Sequence, residues 1–270
     1  MKFKALFITF NIVLFLSFVT IFFLPFFILD GTFMRDFWSK NWFFSLIFLL
    51  ILGIVNSVFL SNWKTLSFLE NEDWPGLSAH LEKAVFEKKR YGKRQVSLLC
   101  DALLLLGDFD TLMRLQEVLR TQKPHLFALF GVKFAAASLL SKNYGGICTL
   151  ALQLRDKKEA DSDWLLFYEA FAQHLMKKLD VSSADFISLS ENAGEPLVTA
   201  LSGYMAGMVL VRNMPEKNTE LSAASAEAKK RVREKYTQGK WKAYIDELKA
   251  DMHVAVLGKL IDETGVWLFA

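Results

Sequence analysis

The fold of this chain is decided by residues 107–124, which read GDFDTLMRLQEVLRTQKP. Gly107 and Asp108 predict a tight turn, and the proline at position 124 predicts the end of the helix that follows the turn. Within that helix apolar side chains recur at i, i+3, i+6 and i+7, which places them on one face: Leu112, Leu115, Val118 and Leu119. The stretch therefore predicts a short amphipathic helix that begins at a glycine turn.

Related stretches lie 35 residues earlier, EDWPGLSAHLEKAVFEK, and 35 residues later, KNYGGICTLALQLRDKK. The three turn aromatics, Trp74, Phe109 and Tyr144, are evenly spaced, and each begins a predicted helix of similar length. A repeat of this period is typical of stacked helical hairpins, which bury a continuous core only when several of them pack together. We expect the turn aromatics to wedge between neighbouring hairpins, where small residues such as Cys100 and Ala135 allow helices to approach closely.

Two uncharged apolar runs precede the repeats, at residues 5–29 and 42–60. At about 1.5 Å per helical residue each run is long enough to cross a bilayer. A cleaved signal peptide is the alternative for the first run, but the run is too long for a signal core and lacks a small-x-small cleavage site. Residues 30–41 are expected to form a short loop between two transmembrane helices. Asn11, Asn56 and Ser57 favour a local bond between these helices over a contact with another subunit.

The distribution of lysine and arginine predicts the orientation of this hairpin. Basic residues at both its start and its loop give a weak bias, and a further basic cluster follows at residues 83–94. Because translocation of that cluster is disfavoured, both termini and the soluble domain are expected in the cytoplasm, with the hairpin in a bacterial inner membrane.

From residue 61 onward the pattern resembles the tetratricopeptide repeat (TPR) family. The hairpins of that family carry a small residue in the first helix, Gly-Asp-aromatic at the turn, and proline after the second helix. The best-matching hairpin has Cys100, Gly107-Asp108-Phe109 and Pro124 in these places. The resemblance covers about residues 61–190, and the other hairpins depart from the pattern. In the hairpin that begins at Trp164, a turn without glycine is expected over residues 179–183.

The predicted fold class is all-α, with a transmembrane hairpin followed by a TPR-like α-solenoid and a C-terminal capping helix. We divide the chain into a membrane anchor at 1–64, helical repeats at 65–190, and a helical extension or cap at 191–270. In the extension, one amphipathic helix is expected over residues 240–261, since one face repeats Trp241, Tyr244, Ile245, Leu248 and Met252.

Residues that would support catalysis or metal binding are scattered along this sequence. His80, His125, His174 and His253 lack metal-ligand spacing, and no glycine-rich phosphate loop follows a strand pattern. The net charge of +3 is too small to indicate a nucleic-acid-binding protein. We therefore expect no enzyme activity, no cofactor and no metal, and we expect Cys100 and Cys148 to be structural thiols.

The leading hypothesis is a membrane-anchored scaffold that binds a protein partner, within an envelope-associated assembly, while its hairpin contacts the lipid bilayer. The alternative is an accessory subunit of a membrane transporter or membrane enzyme complex, in which the spans make the essential contacts. Either protein could also form an oligomer. The TPR resemblance implies that first-helix side chains line the partner-binding face. Carried over to this chain, these are Arg94, Ser97, Asp101, Glu169 and Gln173.

Overall fold

The computed structural model describes the backbone of residues 3–28 and 31–270, with side chains except at 24–28, 32–34, 36 and 37. Every regular element in these residues is helical, which confirms the all-α prediction. The chain forms two compact units, Met1–Lys83 and Ala84–Ala270, called here the N-terminal and the C-terminal unit.

The N-terminal unit contains three helices: α1 (Phe3–Ile28), α2 (Gly31–Glu70) and α3 (Trp74–Glu82). The loop predicted over residues 30–41 is a correction, since α2 already begins at Gly31, while residues 29 and 30 lie outside the described residues. Residues 32–41 contain neither glycine nor proline, so nothing in that stretch interrupts the helix. Helix α2 continues without a break beyond the second apolar run to Glu70.

Two helices of this unit are long and apolar enough to cross a membrane, over Phe3–Phe23 and Trp38–Glu70. They pack through stacked rings, with the Phe7 and Phe59 centroids 3.7 Å apart. The Asn56 side-chain amide donates to Asn11 Oδ1 at 2.9 Å, which confirms the interpretation of these asparagines as a local bond between the helices. Away from the packed face their apolar side chains are exposed, among them Leu50 at 59%.

One backbone turn recurs four times at intervals of 35 residues. Its central residue has a left-handed φ, at Glu72, Gly107, Lys142 and Lys177. After each of these, the next N–H donates to the carbonyl five residues back, as at Asp108 to Leu103 and Asn143 to Ser138, which is the Schellman bond that ends a helix. At the first three turns the next side chain then caps the following helix, as Asp108 Oδ1 does by accepting from the Thr111 N–H at 3.0 Å.

The C-terminal unit begins with the second part of a π-helical turn (Lys83–Glu87). Its regular helices are α4 (Lys93–Leu106), α5 (Phe109–Gln122), α6 (Pro124–Leu129), α7 (Gly131–Leu140), α8 (Tyr144–Leu154), α9 (Ser162–Leu175), α10 (Leu179–Asn192), α11 (Pro196–Tyr204), α12 (Asn218–Lys235), α13 (Gln238–Leu248), α14 (Met252–Ala255) and α15 (Gly258–Phe269). A second π-helical turn (Met205–Leu210) continues α11, and a 3-10 turn (Pro215–Lys217) precedes α12.

Helices α6 and α7 are separated at Phe130, where the chain brings Gly131 against α8. The Gly131 backbone lies so close to the end of the Leu154 side chain that a Cβ added at Gly131 would displace it. The turn expected at 179–183 is wrong, because Lys177 takes the left-handed conformation and α10 already begins at Leu179.

The amphipathic helix expected over residues 240–261 is three helices, α13, α14 and α15. A turn closed by the Asp251 N–H to the Leu248 carbonyl separates α13 from α14, although neither glycine nor proline marks it. Both helices contribute to the core, with Trp241 and Ile245 of α13 and Val254 of α14 buried.

The core confirms three of the four positions predicted on one face of α5, since Leu112, Leu115 and Leu119 are fully buried, while Val118 is half-buried. The turn aromatics differ from the expectation of a buried wedge, because Phe109 and Tyr144 are only half-buried. Each stands at the first position of its helix, beside the turn. The residues that fill the core lie one turn further along each helix.

Candidate functional site

The helices that precede the recurring turn in the C-terminal unit are α4, α7 and α9, called here the first helices. Between α4 and α7 the ammonium group of Lys133 lies 2.6 Å and 2.8 Å from the two Asp101 carboxylate oxygens. The same ammonium donates to the Ser97 hydroxyl at 3.0 Å. The structure therefore brings together two of the predicted partner-binding residues around a lysine that the sequence analysis did not select.

This ion pair lies mostly out of solvent, with 11% of the Lys133 side chain and 25% of the Asp101 side chain exposed. Burial raises the pKa of Asp101 above its ordinary 3.8, and this effect outweighs the hydrogen bond and the charge of Lys133. The nearby Asp251 carboxylate raises the same pKa further. Because taking both charges out of water costs much of what their attraction returns, the pair orients these side chains more than it stabilises the fold.

The C-terminal segment covers this part of the first helices. Helix α14 contacts both α4 and α7, and Val254 at its centre is 1% exposed. The Tyr168 hydroxyl on α9 donates to the His253 carbonyl oxygen at 2.6 Å. The His253 ring meets the Trp164 ring edge-on, with centroids 5.2 Å apart. We call residues 251–257 the tail segment, and the surface of α4, α7 and α9 beneath it the first-helix face.

The His253 imidazole is held in its neutral form. Burial lowers its pKa from 6.5 to about 4, and the charge of Lys133 lowers it while that of Asp251 raises it. Its Nδ1 atom is buried and has no hydrogen-bond partner among the described residues. A buried polar atom without a partner carries a desolvation cost of about 1–3 kcal/mol. Val254 of the tail segment is therefore closely packed, while the His253 Nδ1 atom makes no hydrogen bond to the described residues.

Glu169 and Gln173 lie elsewhere than predicted. They are 9% and 7% exposed and form a polar cluster within the helix packing, where Arg155 approaches Glu169 at 3.5 Å. Burial raises the pKa of the Glu169 carboxyl, and the Asp185 charge raises it further while Arg155 lowers it. The expectation that this pair lines an accessible face is corrected by their burial.

The repeated turns explain the burial of this pair. Counting back 35 residues from Glu169 gives Phe134 and then Leu99, and both of these side chains are fully buried. Glu169 thus occupies a core position of its hairpin, as Gln173 does at the next helical turn. Aligning α9 on its turn at Lys177, and not on the aromatic Trp164, would have shown this.

Arg94, the remaining predicted residue, is exposed on the first turn of α4. The same counting identifies residues that the sequence analysis missed, because Lys133 and Tyr168 are 35 apart and fall on the same position of α7 and α9. A lysine inside the apolar helix GVKFAAASLL was a usable signal for Lys133. The position of His253 depends on how the tail folds back, which no local pattern encodes.

Other side-chain groups give no sign of a metal centre. Among residues 3–28 and 31–270, no three histidine, cysteine, aspartate or glutamate side chains are arranged to hold a metal ion. Both cysteines are free, and burial raises the pKa of the Cys100 thiol to about 12. Cys100 therefore remains a protonated thiol packed in the core.

Comparison with known proteins identifies the family of this chain. A family described as uncharacterised Treponema protein matches residues 111–270, from α5 to the C-terminus. A protein of Treponema pallidum (strain Nichols), itself named only as uncharacterized, is 33% identical over 233 residues, which make up 84% of this chain and 74% of that protein. No solved structure matches the chain. The matched family and this relative together show that the chain belongs to the family of uncharacterised Treponema proteins.

Proposed function

We propose that this protein is a membrane-anchored helical-repeat scaffold that binds a protein partner on its first-helix face. The observation that carries the proposal is the backbone turn that recurs every 35 residues after two helices long and apolar enough to span a bilayer. A fixed period of this size is typical of TPR-like stacks, whose neighbouring hairpins share one core and offer an extended surface to a partner.

The first-helix face has the properties of a peptide-binding surface. It already accommodates a short helix of the same chain, through the Tyr168 hydroxyl, the Trp164 ring and an apolar site for Val254. Recognition of a helix by an aromatic-lined surface with a few fixed polar groups is a common mode of protein–protein binding. Lys133 is paired with Asp101 and bonded to Ser97, so the two opposite charges at this end of the face offset each other.

The N-terminal helices support the anchoring part of the proposal. Asn11 and Asn56 satisfy each other inside the helix pair, so the outer faces present apolar side chains to lipid. The positive-inside rule places both termini and the C-terminal unit in the cytoplasm, at a bacterial inner membrane. The scaffold would then serve an assembly at the cell envelope.

The test is a crosslinked pull-down of tagged full-length protein from membranes in mild detergent. Arg94→Glu reverses an exposed charge on α4, and Lys230→Glu makes the same change at an exposed site on α12. We expect Arg94→Glu to reduce recovery of a specific partner at least threefold, while Lys230→Glu leaves it unchanged. Equal recovery from both variants would show that Arg94 does not take part in binding.

The alternative is an accessory subunit that is held in its complex by its spans. Exchanging α1 and α2 for an unrelated transmembrane hairpin distinguishes this alternative from the scaffold. The scaffold proposal expects the partner to remain bound after the exchange, because the binding face lies in the C-terminal unit. Loss of the partner, with the C-terminal unit still folded, would favour the subunit alternative.

A further inference from the structure

We propose that the tail segment is a displaceable ligand that the chain carries for its own first-helix face. In this arrangement the partner supplies a short helical segment of similar chemistry, with a ring and a branched apolar residue in place of His253 and Val254. The inference rests on the proposed function, because it states how the same face is closed and opened.

The tail segment is a separable element. Helix α14 has four residues and is bounded by turns on both sides, with the Asp251 N–H donating to Leu248 and the Leu257 N–H donating to Val254. A helix this short has no stability of its own in water, so its form depends on the face that it contacts. Elements held by few contacts open locally without unfolding of the whole unit.

The contacts that hold the segment can be reproduced by another helix. Tyr168 donates to a backbone carbonyl, that of His253, at 2.6 Å, and any helix end offers such a free carbonyl. Val254 is 1% exposed and supplies the main apolar contact of α14. Recognition thus depends on one carbonyl, one ring and one branched side chain, all of which a partner segment can present.

The fit of the tail segment leaves contacts unmade. The His253 Nδ1 atom is buried and has no partner in the part of the chain that the structure describes. The Asp251 and Asp101 carboxylates are close enough for like charge to raise the pKa of Asp101. A groove of about 360 Å³ remains open where the tail segment meets the first helices, with Leu140 and Phe171 on one side and Val256 and Leu257 of the segment on the other. The segment therefore leaves apolar surface of the first helices uncovered.

The experiment measures binding of the chain's own tail in trans. A fluorescent synthetic peptide of residues 248–270 is titrated into full-length protein in lipid nanodiscs and followed by fluorescence anisotropy. The proteins are wild type, Val254→Asp and Val266→Asp, the last being the same change at a site 73% exposed on α15. The control peptide carries the Val254→Asp change.

We expect the Val254→Asp protein to bind the unmodified peptide at least tenfold more tightly than wild type or Val266→Asp does, because its own segment no longer occupies the face. The control peptide should bind none of the three proteins. The proposal is overturned if folded Val254→Asp protein binds the peptide no more tightly than Val266→Asp protein does.

Hydrogen exchange of the wild-type protein provides a second test that needs no variant to fold. The amides of Val254 and Val256, bonded to Asp251 and Met252, should exchange at least tenfold faster than protected amides of α9. Exchange of both sets at one common rate would show that the tail opens only with the whole unit, and would overturn the proposal. Both tests use this chain and its own peptide, so their outcome is independent of whether the pull-down finds a partner.

Discussion

Protonation of His253 is expected to destabilise the C-terminal unit as the pH falls below neutrality. Burial lowers the folded pKa from 6.5 to about 4, so the unfolded chain binds a proton more readily than the folded one between these values. The stability that the neutral ring contributes is therefore present above pH 6.5 and is lost as the pH falls towards 4. From pH 7.5 to 5 this linkage amounts to about 2 kcal/mol.

Other groups whose pKa differs between the folded and unfolded chain also change the stability with pH, so the His253 contribution is measured as a difference between variants. His174 has a lowered pKa as well, whereas burial raises the pKa of Asp101, so its carboxyl opposes the histidine effect as the pH falls. His253→Phe keeps a ring against Trp164 but cannot be protonated. His125→Phe, at an exposed position on α6, makes the same change elsewhere.

Thermal unfolding of full-length protein in nanodiscs, followed by circular dichroism at both pH values, gives the answer. For a unit of this size about 2 kcal/mol corresponds to a change in Tm of about 4–8 °C. When the pH is lowered from 7.5 to 5, the Tm of wild type and of His125→Phe should fall by about 4–8 °C more than the Tm of His253→Phe does. The reasoning is refuted if all three proteins lose the same stability between pH 7.5 and 5.

Three further predictions concern the core and the turns, each measured by urea unfolding of the full-length protein. Lys133→Met should lower the free energy of unfolding by about 1–3 kcal/mol, because it leaves the Asp101 carboxylate half-buried and unpaired. Adding Asp101→Asn should restore at least half of this loss. If it restores none, the two side chains are not coupled. Leu112→Ala should lower the free energy of unfolding by about 2–5 kcal/mol. Phe109→Ala should lower it by less than half as much, because the Phe109 ring is only half-buried. A larger loss for Phe109→Ala than for Leu112→Ala would contradict this packing. Gly107→Ala should cost about 1–2 kcal/mol, since Gly107 has a φ of 69°; unchanged stability would exclude the left-handed turn.

The fold could be predicted from the sequence wherever a residue type is typical of one particular backbone position. Gly107 and Asp108 identify the turn because glycine tolerates a left-handed φ and aspartate caps a helix, and both roles are seen in the structure. The same turn at Lys177 was missed, because lysine adopts this conformation only where the surrounding contacts hold it there.

The candidate site was predictable only in part, for a related reason. Ser97 and Asp101 were selected from their position on a first helix, and Lys133 joins them across the helix interface. Glu169 was misplaced because α9 was aligned on Trp164 and not on the turn at Lys177; in the structure it takes a buried position, where Arg155 lies 3.5 Å away. The tail segment depends on contacts between residues distant in sequence, such as Tyr168 with residue 253, and no periodicity specifies them.

The proposed function depends most on α1 and α2 being a retained two-pass anchor. The direct measurement is labelling of introduced cysteines with a membrane-impermeant maleimide in cells whose outer membrane has been permeabilised, in a Cys148→Ser background, where the remaining Cys100 is buried. Arg35→Cys lies near the start of α2, and Glu216→Cys lies in the 3-10 turn before α12. The account predicts that Arg35→Cys is labelled while the inner membrane is intact and Glu216→Cys only after lysis of the inner membrane. Labelling of both positions from the same side would contradict it.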